Sequence, residues 1–175
     1  MIEFWFVILM IALRGLQDAG LRKVEHTLRD NLKSDYDIKI IDKVSTLSSY
    51  FEFGLWYLLV AVILYYMPIC WTAKIATFGA LAFLQLLCGN EDFWHYFFEP
   101  LFPHPNREIR YPVKIGIWRL PKDLHHLGVG DNEGHSGWHN PLLMFFCGKE
   151  VRLKPFLWVV LISTLLVYLI SIYWK

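Results

Sequence analysis

The chain has 175 residues, enough for one domain, and 55% of them are hydrophobic and 17% aromatic, with a positive mean hydropathy. That composition exceeds what soluble domains carry and places the chain among membrane proteins. Seventeen basic residues against sixteen acidic ones give a net charge of +1, so nothing in the total charge calls for nucleic acid or an acidic partner.

In chain order, the first apolar run is Ile2 to Leu13, closed by Arg14. It is short for a crossing, which takes about 17–25 residues, but spans residues 2–16 if it is tilted and Arg14 snorkels to the interface. Residues 17–50 are charged. Within them Leu21, Val24, Leu28 and Leu32 recur at three- and four-residue steps, which predicts an amphipathic helix on the membrane surface or against the core. His26, alone on that helix, reads as a solvated or capping side chain.

A second span is expected over 51–70, apolar from Phe51 to Met67, with Glu52 at its mouth and Pro68 at its close. A third covers 74–98 if the helix continues unbroken, since no proline intervenes before Pro100. The short link between them predicts an antiparallel hairpin. The fourth span, 156–174, carries no charge, has aromatic residues toward both ends and is anchored by Lys175. These features predict an all-α fold, an integral membrane helical bundle of about four transmembrane helices forming one domain over 1–175. No internal repeat is visible.

Basic residues sort the loops. Arg14 to Lys43 and Arg107 to Lys154 carry nearly all of them, and the hairpin between spans two and three offers only Lys74. The positive-inside rule therefore puts both long loops in the cytoplasm. Cys70, Cys88 and Cys147 are an odd number without close spacing and read as small apolar side chains rather than a disulfide framework.

Six of the seven histidines fall between residues 91 and 140: His95, His104, His125, His126, His135 and His139. They stand beside Glu91, Asp92, Asp131 and Glu133, and imidazole with carboxylate is the donor set of metal sites. A helix 74–90 would be about 25 Å long at 1.5 Å per residue, so Glu91 is expected at the cytoplasmic boundary. Glu91 and His95 are four residues apart and share a helix face if the helix runs through them. An ionised carboxylate there is costly unless it is partnered, by a metal, by a hydrogen bond to His95 or by a salt bridge to an arginine. His104 lies between Pro103 and Pro105, which forbid a regular helix. The segment Arg107 to Lys122 reads as extended chain on the headgroups, with Tyr111 and Trp118 as interfacial anchors. His125 and His126 are adjacent and suit one ligand each or two neighbouring metals. His135 and His139 have helical ligand spacing, but Asn140-Pro141 starts the next helix, so the pair falls on a turn before it.

The His95, His125-His126 and His135-to-His139 pattern resembles the membrane-bound histidine-box enzymes, the fatty acid hydroxylase and desaturase superfamily. The resemblance covers residues 91–139, with one His-x3-His and one His-His, and lacks the usual His-x2-His-His boxes. It implies iron, as one or two ions, activating oxygen for attack on a lipid chain, with electrons from a redox partner. Glu91, His95, His125, His126, His135 and His139 would be the metal ligands, with Asp92, His104 and Asp131 as further candidates. The chain also resembles small microbial membrane proteins carrying Glu-Asp-Phe, six residues and Pro, here Glu91, Asp92, Phe93 and Pro100.

Two other functions fit the same residues. One is zinc-dependent hydrolysis of a lipid or membrane peptide, with Glu91 or Glu133 as base toward a metal-activated water. The other is a non-enzymatic membrane protein whose histidine loop binds metal or headgroups.

Overall fold

A computed structural model describes residues 2–31, 35–102, 113–115, 118–120, 142, 145–146 and 153–173. The described residues form five α-helices and one short strand pair. Helix α1 covers Phe4–Asn31 and α2 Asp35–Tyr66. Helix α3 covers Trp71–Ala82 and α4 Asn90–Phe98, and α5 covers Leu153–Tyr173. Strands β1 (Val113–Ile115) and β2 (Trp118–Leu120) pair antiparallel, Val113 opposite Leu120, within the segment expected to be extended.

Two helical segments are long and apolar enough to cross a membrane: Phe4–Leu21, of 18 residues, and Lys154–Tyr173, of 20. The α3–α4 pair adds a third if it counts as one broken span, and Tyr50–Tyr66 is a shorter apolar helix. The amphipathic stretch after Arg14 is no separate surface helix: α1 runs unbroken through it to Asn31. At 1.5 Å per residue its 28 residues reach about 42 Å. That exceeds the roughly 30 Å of a hydrocarbon core, so its end extends beyond any such layer. Leu21, Val24 and Leu28 are exposed there, not packed on the core.

Helix α2 stops at Tyr66, just ahead of Pro68, which cannot continue a helix. Its last turn is closed from the next helix, where Lys74 Nζ donates to the Tyr65 carbonyl at 2.5 Å. The same ammonium lies 5.6 Å from the centre of the Tyr65 ring and 5.0 Å from that of Trp71. One cation therefore satisfies a helix C-terminus and two aromatic faces at the α2–α3 turn.

The continuous helix expected over 74–98 is broken. After α3 the turn widens to a π-helix at Phe83–Leu87, and Gly89 takes a left-handed conformation with φ of 74°. A side chain with a Cβ adopts that conformation at a cost, which is why glycine stands here. Across the break the axis turns by 71°. The chain so redirected runs as α4 along α1, its most extensive helical partner.

The core where the helices meet is built from Val7, Met10 and Ile11 of α1, Val60 and Leu64 of α2, and Ala80 and Leu81 of α3. Leu84 of the π-turn and Val167 of α5 complete it. At the start of the chain, Glu3 N donates to Thr77 Oγ1 at 2.9 Å and the Phe4 ring meets Tyr168 edge-on. These contacts tie the first turn of α1 to α3 and α5. Cys88 is buried, as its apolar setting predicts; Cys70 is exposed at the start of α3, and both are free thiols.

A candidate polar site at the crossing of two helices

The charged residues of α1's apolar segment, Arg14 and Asp18, are one helical turn apart, and so are Glu91 and His95 on α4. Where the helices cross, the four meet in two rungs. Arg14 Nε lies 3.2 Å from Glu91 Oε1, and His95 Nδ1 lies 2.7 Å from Asp18 Oδ2. Matching order along both chains means that α1 and α4 run in the same direction through the crossing. Between the rungs sits Gly15. A Cβ added there would come within 2.5 Å of Trp94 Cβ and 2.8 Å of the His95 amide nitrogen. Only glycine allows this approach, the device by which helices pack in lipid, where small residues bring backbones together.

Arg14 does not snorkel. Its side chain is 2% exposed, with Glu52 Oε2 3.6 Å from Nη1 and the Phe53 ring centre 4.6 Å from the guanidinium carbon. A buried guanidinium is costly unless opposite charge surrounds it, and two glutamates and an aromatic face do so here. Glu52, expected only at the mouth of a span, thus becomes α2's contribution to the cluster, and it also accepts a hydrogen bond from Ser48 Oγ at 2.9 Å.

Glu91 has both oxygens engaged. Oε1 faces Arg14, and Oε2 accepts from Gln85 Nε2 at 2.6 Å. Gln85 belongs to the π-turn, and its own Oε1 accepts from Tyr57 Oη of α2 at 3.2 Å. The widened turn thereby points an amide into the cluster, linking α2, the π-turn, α4 and α1 in one polar chain. Beside it Asn90 reaches the other way. Asn90 Nδ2 donates to Thr164 Oγ1 at 2.7 Å, and Ser163 Oγ donates to Asn90 Oδ1 at 3.2 Å.

Those two hydroxyls lie near the middle of α5, so Asn90 meets that helix near its centre. The boundary position expected for Glu91 presumed a straight helix, and the chain breaks at Gly89 before reaching it. Glu91 and His95 nevertheless share one buried face of α4, as their spacing predicts, at 8% and 4% exposure. Of the two cations open to Glu91, the structure supplies the arginine. Asp92 is half-buried on the same helix.

His104, His125, His126, Asp131, Glu133, His135 and His139 lie outside the described residues. Among the described residues no group of three or more His, Cys, Asp or Glu side chains comes close enough to hold a metal ion. Any metal site would therefore need donors from outside the described residues. Asp18, Gln85 and Tyr57 carry no site signal in the sequence that places them here, and Glu52 is marked there only as the mouth of a span. The nearest thing to a signal is that Asp18 repeats the four-residue step to Arg14 that marks Glu91 and His95. The chain matches no family model, no curated protein and no solved structure.

Proposed function

We propose that this chain is an integral membrane metalloenzyme acting on a lipid, with a metal held beside the α1–α4 crossing by His95 and the histidines of the 103–140 segment. The observation that carries the reading is the joint burial of Glu91 and His95 on α4, immediately ahead of that segment. A buried helix bearing an imidazole and a carboxylate gives a fixed starting point for a ligand set that the following chain completes. The donor chemistry fits: imidazole suits iron and zinc alike. His95, His125, His126, His135 and His139 would be the principal ligands, with Asp92, His104 and Asp131 beside them.

The reaction favoured is oxidative, of the hydroxylase or desaturase type, with iron supplying oxygen activation when bound and a redox partner supplying electrons. The histidine segment would lie on the cytoplasmic side, following the basic loops. Glu91, held by Arg14 and Gln85, would set the charge at the edge of the site, and Glu133 would serve as proton acceptor. A hydrolase built on zinc uses the same residues. Metal analysis of the purified full-length protein decides. Two irons per chain support oxidation, and one or two zincs support hydrolysis. Substoichiometric metal in folded protein, with stability unchanged by chelator, overturns both. Loss of metal in His139→Ala would put that residue in the ligand set.

A second reading, a non-enzymatic membrane protein, is favoured by one feature. Arg14 lies between Glu91 and Glu52 and pairs with both, so the cluster has a cation of its own. On that reading metal removal leaves the protein unchanged.

A further inference from the structure

Helix α2 buries one face and leaves the opposite one exposed. Val60 and Leu64 belong to the core, with Trp56 and Tyr57 packed beside them. On the far side Ile40, Val44, Leu47 and Phe51 follow one another at steps of four, three and four, and they are 44–71% exposed. The same alternation continues through Gly54, Leu58 and Ala61, which are exposed as well. One heptad seam therefore runs unbroken over three repeats, the pattern of a helix that packs lengthwise on another helix.

Lipid does not cover the first part of this seam. The apolar segment of α2 begins only at Tyr50, and the residues ahead of it include Lys39, Asp42 and Lys43. Ile40, Val44 and Leu47 thus stand where the chain is charged, with Lys43 and Ser48 exposed on either side of them. A narrow stripe on the a and d positions is a coiled-coil seam, whereas a face that meets a broad core is wider.

Inside the apolar segment the seam keeps its register and changes its size. Its d positions, Ile40 and Leu47 in the charged part, become Gly54 and Ala61. A Cβ built on Gly54 meets no described residue within 4 Å. Gly15 shows such a residue with its neighbour in place, since there the added atom runs into Trp94 and His95. Small residues let helix backbones approach closely in lipid, where apolar burial alone favours no partner. The seam has large d residues where water surrounds it and small ones where lipid does.

We propose that this seam is a dimer interface, in which α2 packs lengthwise and in parallel on α2 of a second copy of the chain. Two copies inserted in one membrane share an orientation, so a two-fold axis along the membrane normal sets each seam residue against itself. No charge stands on the seam to oppose that pairing. Val44 at an a position with Leu47 at d is the combination that favours two strands over three or four. The exposed area of the seam is on the order of 600 Å² per copy, approaching the roughly 800 Å² per partner of stable interfaces. Because the seam lies opposite the core, the pairing leaves the α1–α4 crossing as it is. The inference uses the membrane location of the chain and is independent of any metal.

The test uses full-length protein, first in detergent micelles with its mass read by sedimentation. The unmodified protein should be a dimer. Leu47→Glu should be a monomer at the same concentration, with helicity and thermal unfolding unchanged, because Leu47 is exposed. Gly54→Leu, which fills the close approach, should weaken the dimer about tenfold. Crosslinking in membranes decides if Leu47→Glu fails to fold. With Cys70, Cys88 and Cys147 replaced by alanine, Leu47→Cys should form a disulfide between copies, and Leu161→Cys on the exposed face of α5 should not. A Leu47→Cys disulfide no faster than that of Leu161→Cys overturns the proposal whatever the mass in detergent. Shielding of that same cysteine from a soluble maleimide would then assign the seam to lipid or to a different protein. A dimer that folded Leu47→Glu leaves intact overturns the proposal as well.

Discussion

The crossing of α1 with α4 and the long face of α5 solve the same problem by different means. On the proposed membrane reading, both must hold helices together in surroundings where apolar burial distinguishes little between a neighbouring helix and lipid. At the crossing the chain uses a glycine, the Arg14–Glu91 ion pair with Gln85 on Glu91, and the Asp18–His95 pair. Along α5 it uses apolar side chains, many of them exposed, such as Leu161, Ile162 and Leu165, and one polar anchor at Ser163 and Thr164. Charges that pair across a crossing specify one arrangement of two helices. An apolar face accepts many, so α5 depends on Asn90 for its register against α4.

Substitutions should separate these two kinds of contact. The largest effect is expected from Arg14→Ala, which leaves the buried Glu91 without its cation and removes the same cation from the part-exposed Glu52. Breaking a buried pair by removing one partner costs about 3–5 kcal/mol, so folded yield and thermal stability in detergent should fall sharply. Pairing Arg14→Met with Glu91→Leu should recover part of that loss, because no lone charge remains at the pair. If the double variant is no better than the single one, the crossing is held by shape rather than by charge.

Gly15→Ala comes next. The added methyl meets Trp94 and the His95 amide, and overpacking of this kind costs about 1–3 kcal/mol. A cysteine crosslink between α1 and α4 should form more slowly in this variant. Asn90→Ala removes two hydrogen bonds to α5, each worth on average about 0.6 kcal/mol between membrane helices. It should loosen α5 in protease or crosslinking assays while leaving the α1–α4 crosslink intact. Leu161→Ala, on the exposed face of α5, should shift stability within about 0.5 kcal/mol, as surface substitutions do. A larger effect would mean that this face has a protein partner.

Much of this framework was legible in the chain. The uncharged run of α5 has one structural solution, and the four-residue step from Glu91 to His95 put both on one face. Other features were not. Arg14 read as a snorkelling residue because its neighbours in sequence are apolar, while its partners, Glu52 and Glu91, lie 38 and 77 positions away. Gly89 read as an interior glycine of one long helix. Glycine permits a left-handed turn without requiring it, and only the packing of α4 on α1 selects that conformation.

By itself, the sequence determined the helical class, the apolar segments and the density of imidazole and carboxylate between residues 91 and 140, because these depend on composition and short-range spacing. Tertiary structure alone decided that α3 and α4 are separate helices meeting at 71°, that Arg14 is shared by two glutamates, and that Asp18 faces His95. Each of those is a choice among partners distant in sequence. The choice is made by which backbones can approach closely, and Gly15 allows that approach at the crossing.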